Sequence, residues 1–126
     1  MPAIKLLEYD EDAQEGVVEI DISLNEPELA SQIALKAFYY SQSLSEANHK
    51  ISLFAFLVTN IVSENTMQAP VKTDCGYFSY HLCAKVLDVE SGHVQLGNVD
   101  IILDSPIPKD ISPNSYISFD VMRLDL

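Results

Sequence analysis

The chain of 126 residues is poor in basic side chains. Seven Lys and Arg residues stand against nineteen Asp and Glu residues, so the formal net charge at pH 7 is −12, and Arg123 is the single arginine. Nucleic-acid-binding proteins attract phosphates with clustered Lys and Arg, and anionic membranes attract the same clusters. We therefore expect neither nucleic acid nor a membrane as partner. A basic protein, by contrast, is steered toward such a field.

Cysteine and long hydrophobic runs are also scarce. Cys75 and Cys83 are too few for a disulfide framework, so we expect reduced thiols. The longest nearly unbroken apolar run, residues 51–58, is far shorter than the roughly 20 residues of a membrane-spanning helix. The N-terminus reaches acidic residues before a signal-like apolar stretch can form. We predict a cytoplasmic protein without a targeting segment.

Apolar residues make up 48% of the chain and charged residues 21%, as in ordinary globular proteins. The length suits one domain, and no linker or repeat divides it, so we predict a single domain over residues 1–126.

Alternating apolar and polar residues predict several strands. Val18, Ile20, Ile22 and Leu24 alternate with Glu19, Asp21 and Ser23, after a short strand at 4–7 and a solvated acidic loop at 8–16. Similar alternation covers 78–86, 94–96, 99–103 and 117–121, with a hairpin turn at 90–92 and a β-bulge or bend at 97–98. Three prolines exclude residues 105–114 from central strands. Residues 122–126 continue the strand pattern.

Two segments are harder to assign. Asn25, Pro27 and Glu28 are typical of a helix start, which favours a short helix over 26–34, but a strand over 34–41 is the competing interpretation. Residues 51–62 are apolar on both faces and predict a central strand buried on both sides. Residues 63–76 form the longest candidate loop.

These elements predict an α+β, mainly β fold. We expect an antiparallel, five- or six-stranded domain with one short helix, built either as a barrel resembling the oligonucleotide-binding (OB) fold or as a sandwich.

No catalytic or metal site is favoured, and we predict a non-enzymatic protein without a cofactor. The ligand spacing of a structural zinc site is absent from Cys75, His81, Cys83 and His93. Cys75 follows Asp74, which opposes a reactive thiolate. A calcium loop starting at Asp10 has Glu15 where glycine is needed. Chance proximity is enough to explain carboxylate pairs such as Asp100 with Asp104, or Asp120 with Asp125.

The functional prediction is therefore based on the negative charge: we predict that the protein binds a basic protein partner. The predicted contact residues are the acids that project from the N-terminal loop and strand: Asp10, Glu11, Asp12, Glu15, Glu19 and Asp21. In size and charge, though in no motif, the chain resembles small acidic inhibitors of basic toxins, such as bacterial immunity proteins against nuclease effectors. The alternative is an OB-like module that binds a ligand or single-stranded nucleic acid by stacking on Tyr39, Tyr40 and Tyr77.

Overall fold

The computed structural model describes residues 4–13, 15–23, 32–40, 52–74, 76 and 78–126. Within these ranges the chain forms strands and turns without any helix, and so without a helix that could cross a membrane. The strands are β1 (Ile4–Asp10), β2 (Glu15–Ser23), β3 (Gln32–Tyr40), β4 (Ser52–Phe56), β5 (Thr59–Glu64), β6 (Val71–Lys72), β7 (Tyr80–Asp88), β8 (His93–Leu96), β9 (Val99–Leu103), β10 (Tyr116–Val121) and β11 (Arg123–Asp125). The expectation of a β-rich protein is confirmed.

The period-two pattern decides which face of each strand is buried. In β2, Val18, Ile20 and Ile22 are fully buried, whereas Glu19 is half-buried and Asp21 is exposed. These three apolar side chains belong to one hydrophobic cluster with buried side chains of β3, β4 and β7 to β11, which include Leu35, Leu53, Leu82, Val94, Ile101, Ile117 and Leu124. We call the opposite side of the sheet the outer face.

The described strands form one open sheet in the order β1-β2-β3-β11-β4-β9-β8-β7-β10-β5, with β6 added to β7. Two neighbouring pairs, β4 with β9 and β3 with β11, are parallel. The predicted antiparallel OB-like barrel or sandwich of five or six strands is therefore wrong. The C-terminal strand β11 inserts between β3 and β4, and alternation within one segment does not reveal such pairing between distant segments.

The open sheet curls until distant strands meet. The hydroxyl oxygen of Tyr80 in β7 accepts a hydrogen bond of 2.9 Å from the backbone N–H of Lys36 in β3. Just before β7, the ring of Phe78 packs edge-to-face against Phe38 of β3, with 6.1 Å between the ring centroids. Four strands, β11, β4, β9 and β8, separate β3 from β7 in the sheet order. These contacts therefore join two parts of the sheet that are distant in the strand order.

The short helix predicted over 26–34 is also wrong. Residues 32–34 belong to β3, and residues 26–31 lie outside the described residues. β3 pairs with β2 along nine residues, from Gln32 opposite Ser23 to Tyr40 opposite Glu15, and it buries Leu35. Tertiary pairing therefore outweighs the local helix-start signal, and the competing prediction of a strand from residue 34 is confirmed as far as Tyr40.

Residues 51–62 do not form one strand buried on both faces. Their described part forms β4 and β5, separated by a turn at Leu57 and Val58. Leu53 is buried in the core, but Phe54 and Phe56 lie exposed on the outer face. Aromatic residues favour strand structure, and the prediction of burial on both faces depended on them. Strand propensity alone does not show whether a second layer covers the strand.

Two glycines with positive φ form hairpin turns in the second half of the chain. The predicted hairpin turn at 90–92 is confirmed, and Gly92 adopts a positive φ of 69° there. The change of register at Gly97 is a two-residue hairpin turn between β8 and β9, with φ of 58° at Gly97, and not a bulge.

The proline-rich segment 105–114 lies outside the strands, and the C-terminus is paired in the sheet, both as predicted. The predicted loop 63–76 instead contains the end of β5 and all of β6.

Candidate functional site

The acidic segment 8–16 forms a β-hairpin instead of the predicted solvated loop. Glu8 lies opposite Val17, and Asp10 lies opposite Glu15, in the pairing of β1 with β2. Asp10 begins the turn, because its Oδ1 accepts hydrogen bonds from the backbone N–H groups of Asp12 (3.0 Å) and Ala13 (3.4 Å). The hairpin therefore fixes several carboxylates at one end of the sheet.

At a β-bulge and a glycine, the two strands of this hairpin approach each other closely. The register of β1 against β2 shifts between Leu6 and Glu8. At that point the β1 backbone approaches Gly16 so closely that a Cβ atom on residue 16 would lie 2.3 Å from the carbonyl oxygen of Glu8. Only glycine fits such an approach without moving the backbone. Glu8 and Gly16, the two residues of this close approach, also line a depression beside the turn.

This depression, which we call the acidic groove, has a volume of about 270 Å³. It is lined by Glu8, Tyr9, Asp10, Glu15, Gly16, Val17 and Phe38. Three of these residues bring carboxylates and two bring aromatic rings. A groove of this composition matches a cationic side chain, which is attracted both by carboxylates and by aromatic faces.

The structure places the six predicted contact residues in three locations. Asp10 and Glu15 line the acidic groove. Glu11 and Asp12 are exposed in the hairpin turn, and Glu19 and Asp21 project from β2 further from the turn. Phe38 was missed because its segment was assigned to a helix or a competing strand without a defined face. Its pairing with Val17 in β2 brings it to the groove.

The only arginine of the chain lies next to the groove on the outer face. The guanidinium carbon of Arg123 lies 4.7 Å from the ring centroid of Phe38 and 5.6 Å from that of Phe56. Nε and Nη2 donate hydrogen bonds of 2.6 and 2.7 Å to the two carboxylate oxygens of Asp125. Because Asp125 neutralises its charge, Arg123 adds a stacked bridge between the two rings without offsetting the acids of the groove.

Large apolar side chains continue the outer face beyond this bridge. Phe54, Phe56, Leu57 and Met122 are all exposed, and we call them the apolar patch. Phe56 lies opposite Arg123, and its carbonyl oxygen accepts a hydrogen bond of 3.2 Å from the N–H of Met122. The acidic groove and the apolar patch are thus joined through Phe38, Arg123 and Phe56.

A second polar cluster lies on β7, β10 and β5. Nδ1 of His81 is 2.7 Å from Oδ1 of Asp120, and Nδ2 of Asn60 donates a hydrogen bond of 2.8 Å to Oδ2 of Asp120. The hydrogen bonds from Asn60 and His81 lower the pKa of Asp120. A general base acting on a nucleophile must be within hydrogen-bond reach of it, and the hydrogen bonds of the described residues give His81 no such neighbour.

The cysteines and aspartates that the sequence offered as catalytic or metal-binding candidates have separate surroundings. Burial is the main cause that raises the pKa of the Cys83 thiol, while Cys75 lies outside the described residues. Among the described residues, no three His, Cys, Asp or Glu side chains cluster as a metal site. Asp100 and Asp104 have different neighbours: Oδ2 of Asp100 is 3.1 Å from Nε2 of His93, and Asp104 binds backbone N–H groups of the β4–β5 turn.

The strongest candidate site is therefore the outer face from the acidic groove to the apolar patch. No protein-family model, curated protein or solved structure gives a significant match to this chain.

Proposed function

We propose that this is a non-enzymatic binding protein that receives a basic segment of a partner protein in the acidic groove. The observation that carries the proposal is that three acidic residues, Glu8, Asp10 and Glu15, line one depression together with Phe38. The resemblance in size and charge to acidic inhibitors of basic toxins supports the same class of partner. The cytoplasmic location stays a prediction.

The groove is electrostatically suited to a cation. Asp10 and Glu15 lie directly opposite each other in neighbouring strands, where like charges destabilise the pairing. A lysine or arginine of the partner relieves this repulsion and also gains contact with the aromatic rings. The net charge of −12 adds long-range steering of a basic partner, which raises association rates at low salt.

The same features disfavour the alternative of single-stranded nucleic acid. Stacking on aromatic side chains contributes about 1–3 kcal/mol per base, but here the phosphates would meet carboxylates instead of basic residues. The OB-like barrel that supported this alternative is not the fold. Tyr77 and the side chains of Tyr39 and Tyr40 lie outside the described residues.

A titration with N-acetyl-arginine methylamide, followed by NMR of the isotope-labelled chain, tests the groove directly. We expect saturable shifts of the backbone amides of Gly16, Val17 and Phe38 at low ionic strength, and loss of these shifts as salt screens the carboxylates. The uncharged analogue N-acetyl-norleucine methylamide should produce far smaller shifts.

Two matched variants separate the groove from the overall charge. The groove variant carries Glu8→Gln, Asp10→Asn and Glu15→Gln. The control variant carries Asp74→Asn, Glu90→Gln and Asp110→Asn, which remove the same number of charges from exposed acids elsewhere. Shifts that disappear in the groove variant and persist in the control variant support the proposal. Equal weakening in both variants contradicts it, because net charge alone would then explain the binding.

A further inference from the structure

The turn between β4 and β5 holds an apolar residue in an unfavourable backbone conformation. Leu57 has a φ of 56°, in the left-handed region. Glycine and asparagine adopt this region readily, whereas a leucine there is strained by contact between its Cβ and the backbone. Asn60 and Asn114, the other described non-glycine residues with positive φ, are of the tolerant type.

Asp104 holds this turn in place from the neighbouring strand. Its carboxylate accepts hydrogen bonds from the backbone N–H groups of Leu57 (2.7 Å) and Val58 (3.1 Å). The hydroxyl of Ser105 donates a hydrogen bond of 3.1 Å to the carbonyl oxygen of Val58. The parallel pairing of β9 with β4 places both residues beside the turn. The surrounding structure therefore fixes the strained conformation.

The strained residue contributes little to the core. The Leu57 side chain is 65% exposed, and Phe54 in the same patch is 47% exposed. A backbone strain that the surroundings maintain, at a side chain that packs against little else, is characteristic of a binding surface. The turn thus presents an apolar contact at the end of the apolar patch.

We infer that the apolar patch is the second half of the partner interface and binds a large apolar side chain of the same basic segment. This inference rests on the proposed function, because the occupant is identified by charge complementarity with the adjoining acidic groove. A second copy of this acidic chain would bring its own carboxylates to the groove and is disfavoured for that reason.

The sheet register gives the spacing of the two contacts. Glu8, Val17, Phe38, Asp125 and Phe54 form one row across β1, β2, β3, β11 and β4. Four strand spacings of about 4.8 Å separate the ends of the row by roughly 19 Å. An extended segment covers about 3.3 Å per residue, so its basic side chain and its apolar side chain should lie about six residues apart.

Selection from random peptides of about twelve residues, displayed on phage and applied to the whole chain, tests this inference, since the length is twice what the spacing requires. We expect the enriched peptides to carry Lys or Arg about six residues from Leu, Ile or Phe. Calorimetry of the synthetic peptides should show affinities at least about tenfold weaker for Leu57→Asn and for Phe54→Thr. Val71→Thr, at an exposed position of β6 outside the patch, should change affinity less than about twofold.

Unfolding measurements and the groove variant distinguish the possible outcomes of this experiment. Leu57→Asn should unfold at the same or a higher urea concentration, because asparagine tolerates the turn, so lost affinity cannot be attributed to unfolding. If only the groove variant weakens binding, the proposed function stands and the role of the patch is overturned. Enriched peptides without apolar residues also overturn the role of the patch. No enrichment, or affinities that neither set of variants changes, overturns both.

Discussion

His81 and Asp120 face each other across β7 and β10, with 2.7 Å between Nδ1 and Oδ1. The second carboxylate oxygen of Asp120 accepts the hydrogen bond from Asn60, and together these bonds lower the pKa of Asp120. A lowered pKa in the folded state means that the carboxylate stabilises the fold above its ordinary pKa of about 4. This stabilisation is lost as the pH falls through the lowered value.

Replacing Asp120 with asparagine should therefore change the response of stability to acid. We expect Asp120→Asn to unfold about 0–1 kcal/mol more easily than the wild type near neutral pH, a small effect because both side chains are more than one-third exposed. The difference should shrink as the pH falls through the lowered pKa of Asp120, because the carboxylate is then protonated in the wild type. Urea unfolding at several pH values measures it, and a difference that persists undiminished at a pH where the wild-type carboxylate is protonated would contradict this account.

The contact between Gly16 and the β1 bulge predicts a large effect from one methyl group. Gly16→Ala would bring Cβ to 2.3 Å from the carbonyl oxygen of Glu8, so we expect a loss of about 1–3 kcal/mol in the free energy of unfolding. Gly76→Ala is the control, since the nearest atom to its added Cβ would be 3.9 Å away. Chemical denaturation should show little change for Gly76→Ala, and equal effects of the two variants would show that the close approach at Gly16 is absent.

The buried Cys83 should be nearly unreactive in the folded protein. Its raised pKa leaves little thiolate at neutral pH, and burial keeps reagents away from the sulfur. In a Cys75→Ser variant, we expect a thiol-specific reagent to modify Cys83 at least about tenfold more slowly in the native state than in urea. Similar rates in the two conditions would mean that Cys83 is accessible in the native state.

The sequence predicted burial correctly where the alternating pattern of a single strand decides which side chains face the core. Val18, Ile20 and Ile22 were predicted to alternate with acids, and all three are buried. The turn at Gly92 and the exclusion of the proline-rich segment from strands also followed from local chemistry. Local patterns did not predict the sheet order, because the pairing of β11 with β3 and β4 joins residues that are distant in the chain.

The candidate site was predicted only in part for the same reason. The acids Asp10 and Glu15 could be selected from charge alone, and they line the acidic groove. Phe38 reaches the groove through pairing with β2, and Phe54 lies exposed on the outer face. Neither property can be derived from an alternating pattern. The strained turn at Leu57 depends on Asp104, which is 47 residues away in the chain.

We propose that the acidic groove recognises a basic protein, and affinity capture from native lysate with three baits examines this recognition. The baits are the wild type, the groove variant and the control variant. Each is used at about 50 mM salt, where charge interactions are strong, and at about 500 mM salt, where they are screened. We predict that the wild type and the control variant retain the same basic protein at low salt and release it at high salt, and that the groove variant does not retain it. Equal retention of that protein by the groove variant would contradict the claim.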